Sequence, residues 1–137
     1  MPFAGDLNPE QAYRLLDEDP DAVLVDVRTR AEWAYVGLPD LGAIGKQVVA
    51  IEWVTYPDGS PNDAFLDELA AAAVEPHQPV LFICRSGARS ASAAETASRA
   101  GYARAYNVTD GFEGPLDAQG HRAVGGWKAA GLPWRQS

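Results

Sequence analysis

The chain has few of the residues that several classes of function require. It contains one cysteine, two histidines, and 11 lysines and arginines against 19 aspartates and glutamates. A single cysteine excludes an internal disulfide, and with two distant histidines it makes no recognisable metal-binding cluster. The formal net charge of −8 opposes binding to nucleic acid or to a membrane surface, which need a basic face. We therefore expect no metal, no organic cofactor and a reducing, cytoplasmic environment.

Long hydrophobic runs are also missing. No apolar stretch reaches the about 18–20 residues of a membrane span, and the N-terminal region lacks the basic-then-apolar pattern of a secretory signal. Hydrophobic residues still make up 47% of the 137 positions, which is enough to bury one core. We expect residues 1–137 to form a single domain.

Short apolar runs alternate with helical patterns, as is typical of an α/β domain with a parallel sheet. Strands are predicted at residues 22–25, 43–44, 48–51, 80–83 and 105–108. Helices are predicted at residues 9–17, 30–34, 62–74, 88–101 and 127–130. Asn8 is the predicted cap of the first helix, with Pro9 at its first position and Gln11 completing a capping box. Asn62 is the predicted cap of the third.

The lone cysteine stands where a buried strand gives way to a helix. The run at 80–83 delivers Cys84 to a loop that contains Arg85, Gly87 and Arg89. A helix N-terminus presents unpaired N–H groups, and together with cationic neighbours it favours a thiolate. Gly87 lets the loop bring its N–H groups close to the sulfur. The alternative is a buried structural cysteine, but such a residue gains nothing from two arginines and a glycine turn, so we interpret Cys84 as a nucleophile.

Three segments of the chain resemble the rhodanese sulfurtransferases. Cys84 to Ser90, which reads Cys-Arg-Ser-Gly-Ala-Arg-Ser, looks like the active-site loop of that family. Asp26-Val27-Arg28 with Glu32-Trp33, and residues 125–128 through 131–133, agree with it. Together the segments span nearly the whole chain and are more specific than the loop alone. The resemblance implies a rhodanese-like three-layer α/β/α domain with a central, mostly parallel five-stranded sheet.

The resemblance also implies a reaction. The Cys84 thiolate would take a sulfane sulfur from a donor such as thiosulfate, become a persulfide, and pass the sulfur to a thiophilic acceptor such as cyanide or a thiol. Arg85 and Arg89 would offset the negative charge of the donor and the persulfide. Backbone N–H groups of residues 85–89, which include Ser86 and Ala88, would hold the transferred sulfur. The implied partners are a small anionic sulfur donor and a thiophilic acceptor, with a protein as the alternative acceptor.

Other functions of the same loop stay open. A phosphatase or arsenate reductase uses Cys-x5-Arg to enclose a tetrahedral oxyanion, whereas here Arg89 is five places after Cys84 and Ser90 occupies the next. The loop is one residue short, which favours sulfur over phosphate. A noncatalytic binding module would not need the nucleophile. A persulfide carrier that serves a protein partner would share the first half of the reaction.

Asp26 ends the first apolar strand, at the sheet edge where ligand sites are built. Two interpretations are open: a charge-assisted bond from Asp26 to Arg89 or to the loop backbone, or a cap for the helix at 30–34. Arg28 and Glu32 have the spacing of a helical surface pair, and we interpret them as structural.

Residues 109–126 are longer than the short glycine turn that a simple rhodanese has at this place, so we interpret them as an insertion. The segment leaves the end of a strand and should lie beside the Cys84 loop. His121 and Arg122 either contact an anionic substrate or acceptor there, or lie on solvated loop surface. Trp53 and Tyr56 either line the entrance to the cysteine or pack in the core.

Overall fold

The computed structural model describes residues 3–55, 59–114 and 126–135. In chain order the elements are β1 (Gly5–Leu7), α1 (Pro9–Glu18), β2 (Val23–Asp26), α2 (Arg30–Val36), β3 (Leu38–Pro39), a 3-10 turn (Gly42–Ile44), β4 (Val49–Ala50), α3 (Phe65–Ala71), β5 (Val80–Ile83), α4 (Ala88–Arg99), β6 (Ala105–Val108), α5 (Gly126–Ala129) and β7 (Trp134–Arg135).

Five strands form a parallel sheet in the order β1-β6-β5-β2-β4, with β5 at its centre. This confirms the predicted fold class. The fifth strand, however, is β1, which sequence reasoning missed because three residues carry no apolar run. The strand predicted at 43–44 is wrong: these residues form a 3-10 turn that ends at Gly45 in the left-handed conformation. A second, antiparallel pair joins β3 to β7.

The side chains of β5 alternate between two buried clusters, as a strand buried on both faces requires. Val80 and Phe82 point into the cluster formed with α3 and α4, while Leu81 and Ile83 point into the cluster formed with α1 and α5. Helix α4 can approach the sheet closely because the residues on its buried face are small. They are Ser90, Ala93, Ala94 and Ala97. The result is the expected three layers.

The capping box of α1 is confirmed: the Gln11 N–H donates to Oδ1 of Asn8 at 2.8 Å, and the Asn8 N–H donates to Oε1 of Gln11 at 2.9 Å. The predicted bounds of α3 are wrong. The helix begins at Phe65 and ends at Ala71. Asn62 does not cap it, because its side-chain amide donates to the Glu52 carbonyl and to Oε1 of Glu68, and its Oδ1 accepts the Ala64 N–H.

The carboxyl ends of β2, β5 and β6 meet at one edge of the sheet, since these strands are parallel neighbours. Asp26, Cys84 and residues 109–114 all follow these ends. No helix in the described ranges is both long and apolar enough to cross a membrane. The chemistry predicted from the sequence is thus collected at this edge.

Candidate active site

The sulfur of Cys84 lies at the start of α4, as predicted. The Cys84 Sγ accepts hydrogen bonds from the Gly87 N–H at 3.2 Å and the Ser90 N–H at 3.3 Å. Gly87 has φ 112°, a conformation that favours glycine, and it is the residue that turns the loop into the helix. The residue as a whole is only 1% exposed, yet Cys84 lines a cavity, so its sulfur is reached through that opening. Two backbone donors therefore point at the atom that would react.

The start of the insertion holds the carbonyl groups of the loop. The Cys84 carbonyl accepts the Phe112 N–H at 2.8 Å, and the Arg85 carbonyl accepts the N–H groups of Glu113 and Gly114. With the carbonyl groups of the loop bound to residues 112–114, the backbone N–H groups on the opposite side of the loop can face the sulfur. The approach is so close that a Cβ on Gly111 would lie 2.4 Å from the Cys84 carbonyl oxygen. Residues 109–114 thus lie beside the Cys84 loop, as predicted for this part of the insertion.

Ser90 connects the sulfur to β6. Its hydroxyl donates to Oδ1 of Asn107 at 2.6 Å, and the Cys84 Sγ lies 3.2 Å from the same hydroxyl oxygen. Ser90 and Asn107 are both buried. A hydroxyl has one proton, so Ser90 can donate to a sulfur anion only by turning away from Asn107. Sequence reasoning missed Asn107; the signal was an amide within an otherwise apolar strand.

Arg89 is paired with Glu32, which lies on α2. Two hydrogen bonds, of 2.8 and 3.0 Å, join the two guanidinium Nη atoms to the two carboxylate oxygens. Thr29, the cap of α2, donates its N–H and its hydroxyl to the same carboxylate. Burial alone would raise the pKa of Glu32, but the hydrogen bonds and charge of Arg89, with the bonds from Thr29, lower the pKa from 4.5 to about 2. Its hydrogen bonds to Glu32 raise the pKa of Arg89 against the effect of burial.

Arg85 is paired with Glu113 in the same way, though more loosely. Its Nε lies 3.3 Å from Oε2 of Glu113, and the side chains are 48% and 15% exposed respectively. Both loop arginines are therefore bound to carboxylates. This departs from the expectation that Arg85 and Arg89 stand ready to offset the charge of a substrate.

A cavity of about 480 Å³ opens above the sulfur. It is lined by Glu32, Cys84, Arg85, Ser86, Ala88 and Arg89. Five of these six are predicted site residues, and Glu32 is the one that sequence reasoning had interpreted as structural. Its signal was the Thr29-x-x-Glu32 capping box, which places the carboxylate at the start of α2. Within the described ranges, no group of three or more His, Cys, Asp and Glu side chains is placed to hold a metal.

Both interpretations of Asp26 are wrong about its contacts. Its carboxylate binds Arg28 instead, through Nε at 3.0 Å and Nη2 at 2.7 Å, and both side chains are completely buried. Arg89 binds elsewhere, and Thr29 caps α2. The reason is geometric. Arg28 lies two residues after Asp26, and its planar guanidinium donates hydrogen bonds to both carboxylate oxygens at once.

Arg28 and Glu32 do not form the surface pair that their spacing predicted. Arg28 turns inward and lies 4.3 Å from the ring centre of Phe112, while Nη2 donates to the Gly37 carbonyl. The Phe112 N–H in turn donates to the Cys84 carbonyl. The buried Asp26–Arg28 pair therefore packs against the residue that holds the Cys84 loop in place. Asp26 thus lies near the site but does not bind Arg89 of the Cys84 loop.

The remaining predicted residues divide by location. Trp53 packs edge-on against Phe65, with ring centres 5.0 Å apart, and belongs to the core rather than to the cavity lining. Tyr56, His121 and Arg122 lie outside the described residues.

Comparisons with known proteins agree on a family. The family model described as the STR4 middle domain matches residues 5–137. An uncharacterized protein of Rickettsia conorii is 38% identical over 125 residues, 91% of this chain and 92% of the relative. Rhodanese-like domain-containing protein 4, chloroplastic, of Arabidopsis thaliana is 31% identical over 126 residues, 91% of this chain and 24% of that protein. Thiosulfate sulfurtransferase GlpE of Actinobacillus pleuropneumoniae is 27% identical over 128 residues, 93% of this chain and 90% of GlpE.

Two solved structures share the fold over nearly the whole chain. The crystal structure of Rv0390 from M. tuberculosis has a TM-score of 0.90 at 55% identity and covers 98% of this chain and 99% of its own. The solution structure of the 30 kDa polysulfide-sulfur transferase homodimer from Wolinella succinogenes has a TM-score of 0.67 at 27% identity, covering 99% of this chain and 80% of its own.

Proposed function

We propose that this chain, which belongs to the rhodanese-like family, transfers sulfur through a persulfide on Cys84. The Cys84 thiolate attacks the outer sulfur of a sulfane-sulfur donor such as thiosulfate. A new S–S bond forms, and the leaving group departs with the electron pair of the bond that breaks. A thiophilic acceptor, cyanide or a thiol, then attacks the outer sulfur and releases the thiolate.

The observation that carries this proposal is the two backbone N–H donors to Sγ at the start of α4. Gly87 and Ser90 already donate to the sulfur, and the N–H groups of Ala88 and Arg89 belong to the first turn of α4, where the helix supplies no acceptor. An outer sulfur added to Cys84 would extend over that turn. Donors fixed before the reaction stabilise charge as it develops, without reorganisation.

The second candidate, hydrolysis of a phosphate ester, finds less support in the geometry. That chemistry needs an arginine free to clamp a tetrahedral oxyanion. Both Nη atoms of Arg89 are instead engaged by Glu32. A persulfide, which has one terminal atom to stabilise, needs only the backbone donors.

The chain has no second cysteine, so it cannot resolve its persulfide as an internal disulfide. The sulfur must leave to an outside acceptor, which is either a small thiophile or a thiol on another protein. Both outcomes share the loading step on Cys84, and they differ only in what removes the sulfur.

Intact-mass spectrometry after exposure to thiosulfate tests the loading step. We expect the wild-type protein to gain the mass of one sulfur atom and to lose it on addition of cyanide or a thiol. Cys84→Ser should gain none, and since the chain holds one cysteine, no other thiol can supply a background signal. Its far-UV circular dichroism should match the wild type. Loading of the Cys84→Ser protein, or brisk aryl phosphate hydrolysis that depends on Cys84, would contradict the proposal.

A further inference from the structure

The positive charges that line the cavity above Cys84 are already neutralised by carboxylates of the protein. Among the described residues, its two arginines, Arg85 and Arg89, are each paired with one carboxylate, Glu113 and Glu32. Glu32 stays ionised because its pKa is about 2. With the two pairs neutral, the Cys84 thiolate leaves the site with one net negative charge. The site is therefore poorly suited to a small dianion.

Glu113 is held in place by more than its ion pair. Its N–H donates to the Arg85 carbonyl at 3.0 Å, and its side chain is 15% exposed. Arg85 is the more exposed partner, at 48%. A donor that drew Arg85 away from Glu113 would therefore leave the Glu113 carboxylate behind, close to the loop and without its counterion.

We infer that Glu113, through its ion pair with Arg85, is a specificity-determining residue that selects against small dianionic donors and favours an organic persulfide. The inference rests on the proposed sulfur transfer and specifies its donor. The recognised chemistry is a sulfane sulfur carried as R–S–SH, on either a small thiol compound or a protein thiol.

The charge balance of the two loading reactions differs. With thiosulfate, a thiolate meets a dianion, and the three negative charges end as a Cys84 persulfide anion and a sulfite dianion. With R–S–SH, the thiolate attacks the outer sulfur, the S–S bond of the persulfide breaks, and R–S⁻ leaves with the electron pair of that bond while the proton stays on the transferred sulfur. Only one negative charge is present throughout. A cavity whose two arginines are already neutralised by carboxylates penalises the first reaction more than the second.

The size of the cavity agrees with a donor larger than a small inorganic anion such as thiosulfate. Its volume of about 480 Å³ falls in the range of about 300–1,000 Å³ that holds whole small organic molecules. The carrier group R of a persulfide would occupy this space, while its outer sulfur reaches Sγ at the bottom.

Single-turnover loading of Cys84, followed by intact mass, tests the inference with thiosulfate and with the persulfide of 2-mercaptoethanol, whose carrier group is uncharged, as donors. We expect the wild type to load faster from the persulfide. Glu113→Gln should raise the ratio of thiosulfate to persulfide loading rates by about threefold to tenfold, the size expected when a partly exposed charge acting on a dianion is removed. The matched control is Glu95→Gln, which removes a carboxylate from the Arg99 pair on α4 and should leave the ratio unchanged.

A measurement on the wild type alone guards against misfolding of the variant. If the site repels the dianion, raising KCl from about 50 to 500 mM should hold or increase the rate of thiosulfate loading, because salt screens repulsion. A steep decrease, which indicates net attraction, would overturn the inference. So would a ratio that Glu113→Gln leaves unchanged, or a wild type that prefers thiosulfate.

These outcomes are separable from failure of the proposed function. If no donor adds sulfur to Cys84, the sulfur-transfer proposal is wrong. If sulfur is added but thiosulfate is preferred, only the inference is wrong. A third arm, a small protein carrying a persulfide on its single cysteine, distinguishes the two sources of R–S–SH: the source that loads Cys84 faster is the one the cavity accepts.

Discussion

Replacing Glu32 by glutamine removes one charge from the Arg89 pair and little else. Glutamine can still complete the capping box with Thr29, as the amide accepts a hydrogen bond where the carboxylate did. The helix start is thus preserved, and the loss in stability reports the ion pair. We expect Glu32→Gln to fold and to be less stable than the wild type at neutral pH.

The size of the loss follows from the pKa of Glu32. A change from 4.5 in the unfolded chain to about 2 in the folded one corresponds to at most about 3 kcal/mol. The side chains of Arg89 and Glu32 are 26% and 19% exposed, so solvent screens part of this energy. We expect Glu32→Gln to lower the free energy of unfolding by about 1–2 kcal/mol at pH 7.

The dependence on pH has a definite sign. Because folding depresses the pKa of Glu32, its stabilisation is complete well above pH 4.5 and is lost as the pH falls from 4.5 towards 2. Urea unfolding of both proteins, followed by tryptophan fluorescence, should therefore show the difference in free energy shrinking by about half between pH 7 and pH 3.5. Glu95→Gln is the surface control, with an expected loss under about 0.5 kcal/mol. A difference for Glu32→Gln that is the same at both pH values would refute the reasoning.

Two further substitutions test the loop and its supports. Gly111→Ala places a Cβ 2.4 Å from the Cys84 carbonyl oxygen at a positive φ, so we expect it to lower the free energy of unfolding by about 2–3 kcal/mol and to impair sulfur loading. The control is Gly45→Ala, which also has a positive φ but has nothing within 4 Å of the added Cβ. It should lower the free energy of unfolding by about 1 kcal/mol and load sulfur normally. Ser90→Ala removes the hydroxyl beside Sγ and the hydrogen bond to Oδ1 of Asn107, so it should lower the free energy of unfolding by about 1–2 kcal/mol and slow single-turnover loading. Ser90→Thr should restore part of the stability and part of the loading rate. An unchanged loading rate in Ser90→Ala would show that the hydroxyl does not act on the sulfur.

Local patterns in the sequence predicted the elements that build the centre of the molecule. The strands at 80–83 and 105–108 are observed with the predicted bounds. The first is a continuous apolar run, which is satisfied by burial on both faces, and the second is apolar apart from Asn107. The start of α4 beside Cys84 followed from Gly87 and the alanine-rich segment behind it. Strand β1 could not be predicted in this way, since its three residues depend on the edge that β6 offers rather than on their own hydrophobicity.

The charges of the site show where local reasoning ends. Arg89 and Glu32 are 57 positions apart, and Arg85 and Glu113 are 28 apart, so no spacing rule relates them. The sequence placed two arginines beside a thiolate and suggested a site prepared for anions. Only the fold, which brings α2 and the start of the insertion against the loop, reveals that each arginine has a carboxylate partner.

The two carboxylates change what the arginines can do. A free guanidinium beside a nucleophile attracts an anionic substrate, whereas one already paired mainly fixes the position of the loop. In this chain the paired arginines join α2 and residue 113 to the segment that carries Cys84. In the proposed reaction, stabilisation of the transferred sulfur falls to the backbone N–H groups, which carry no net charge and serve any donor that reaches the sulfur. By the same inference, selection among donors is left to Glu113, because its partner Arg85 is more exposed than Arg89, the other arginine of the cavity.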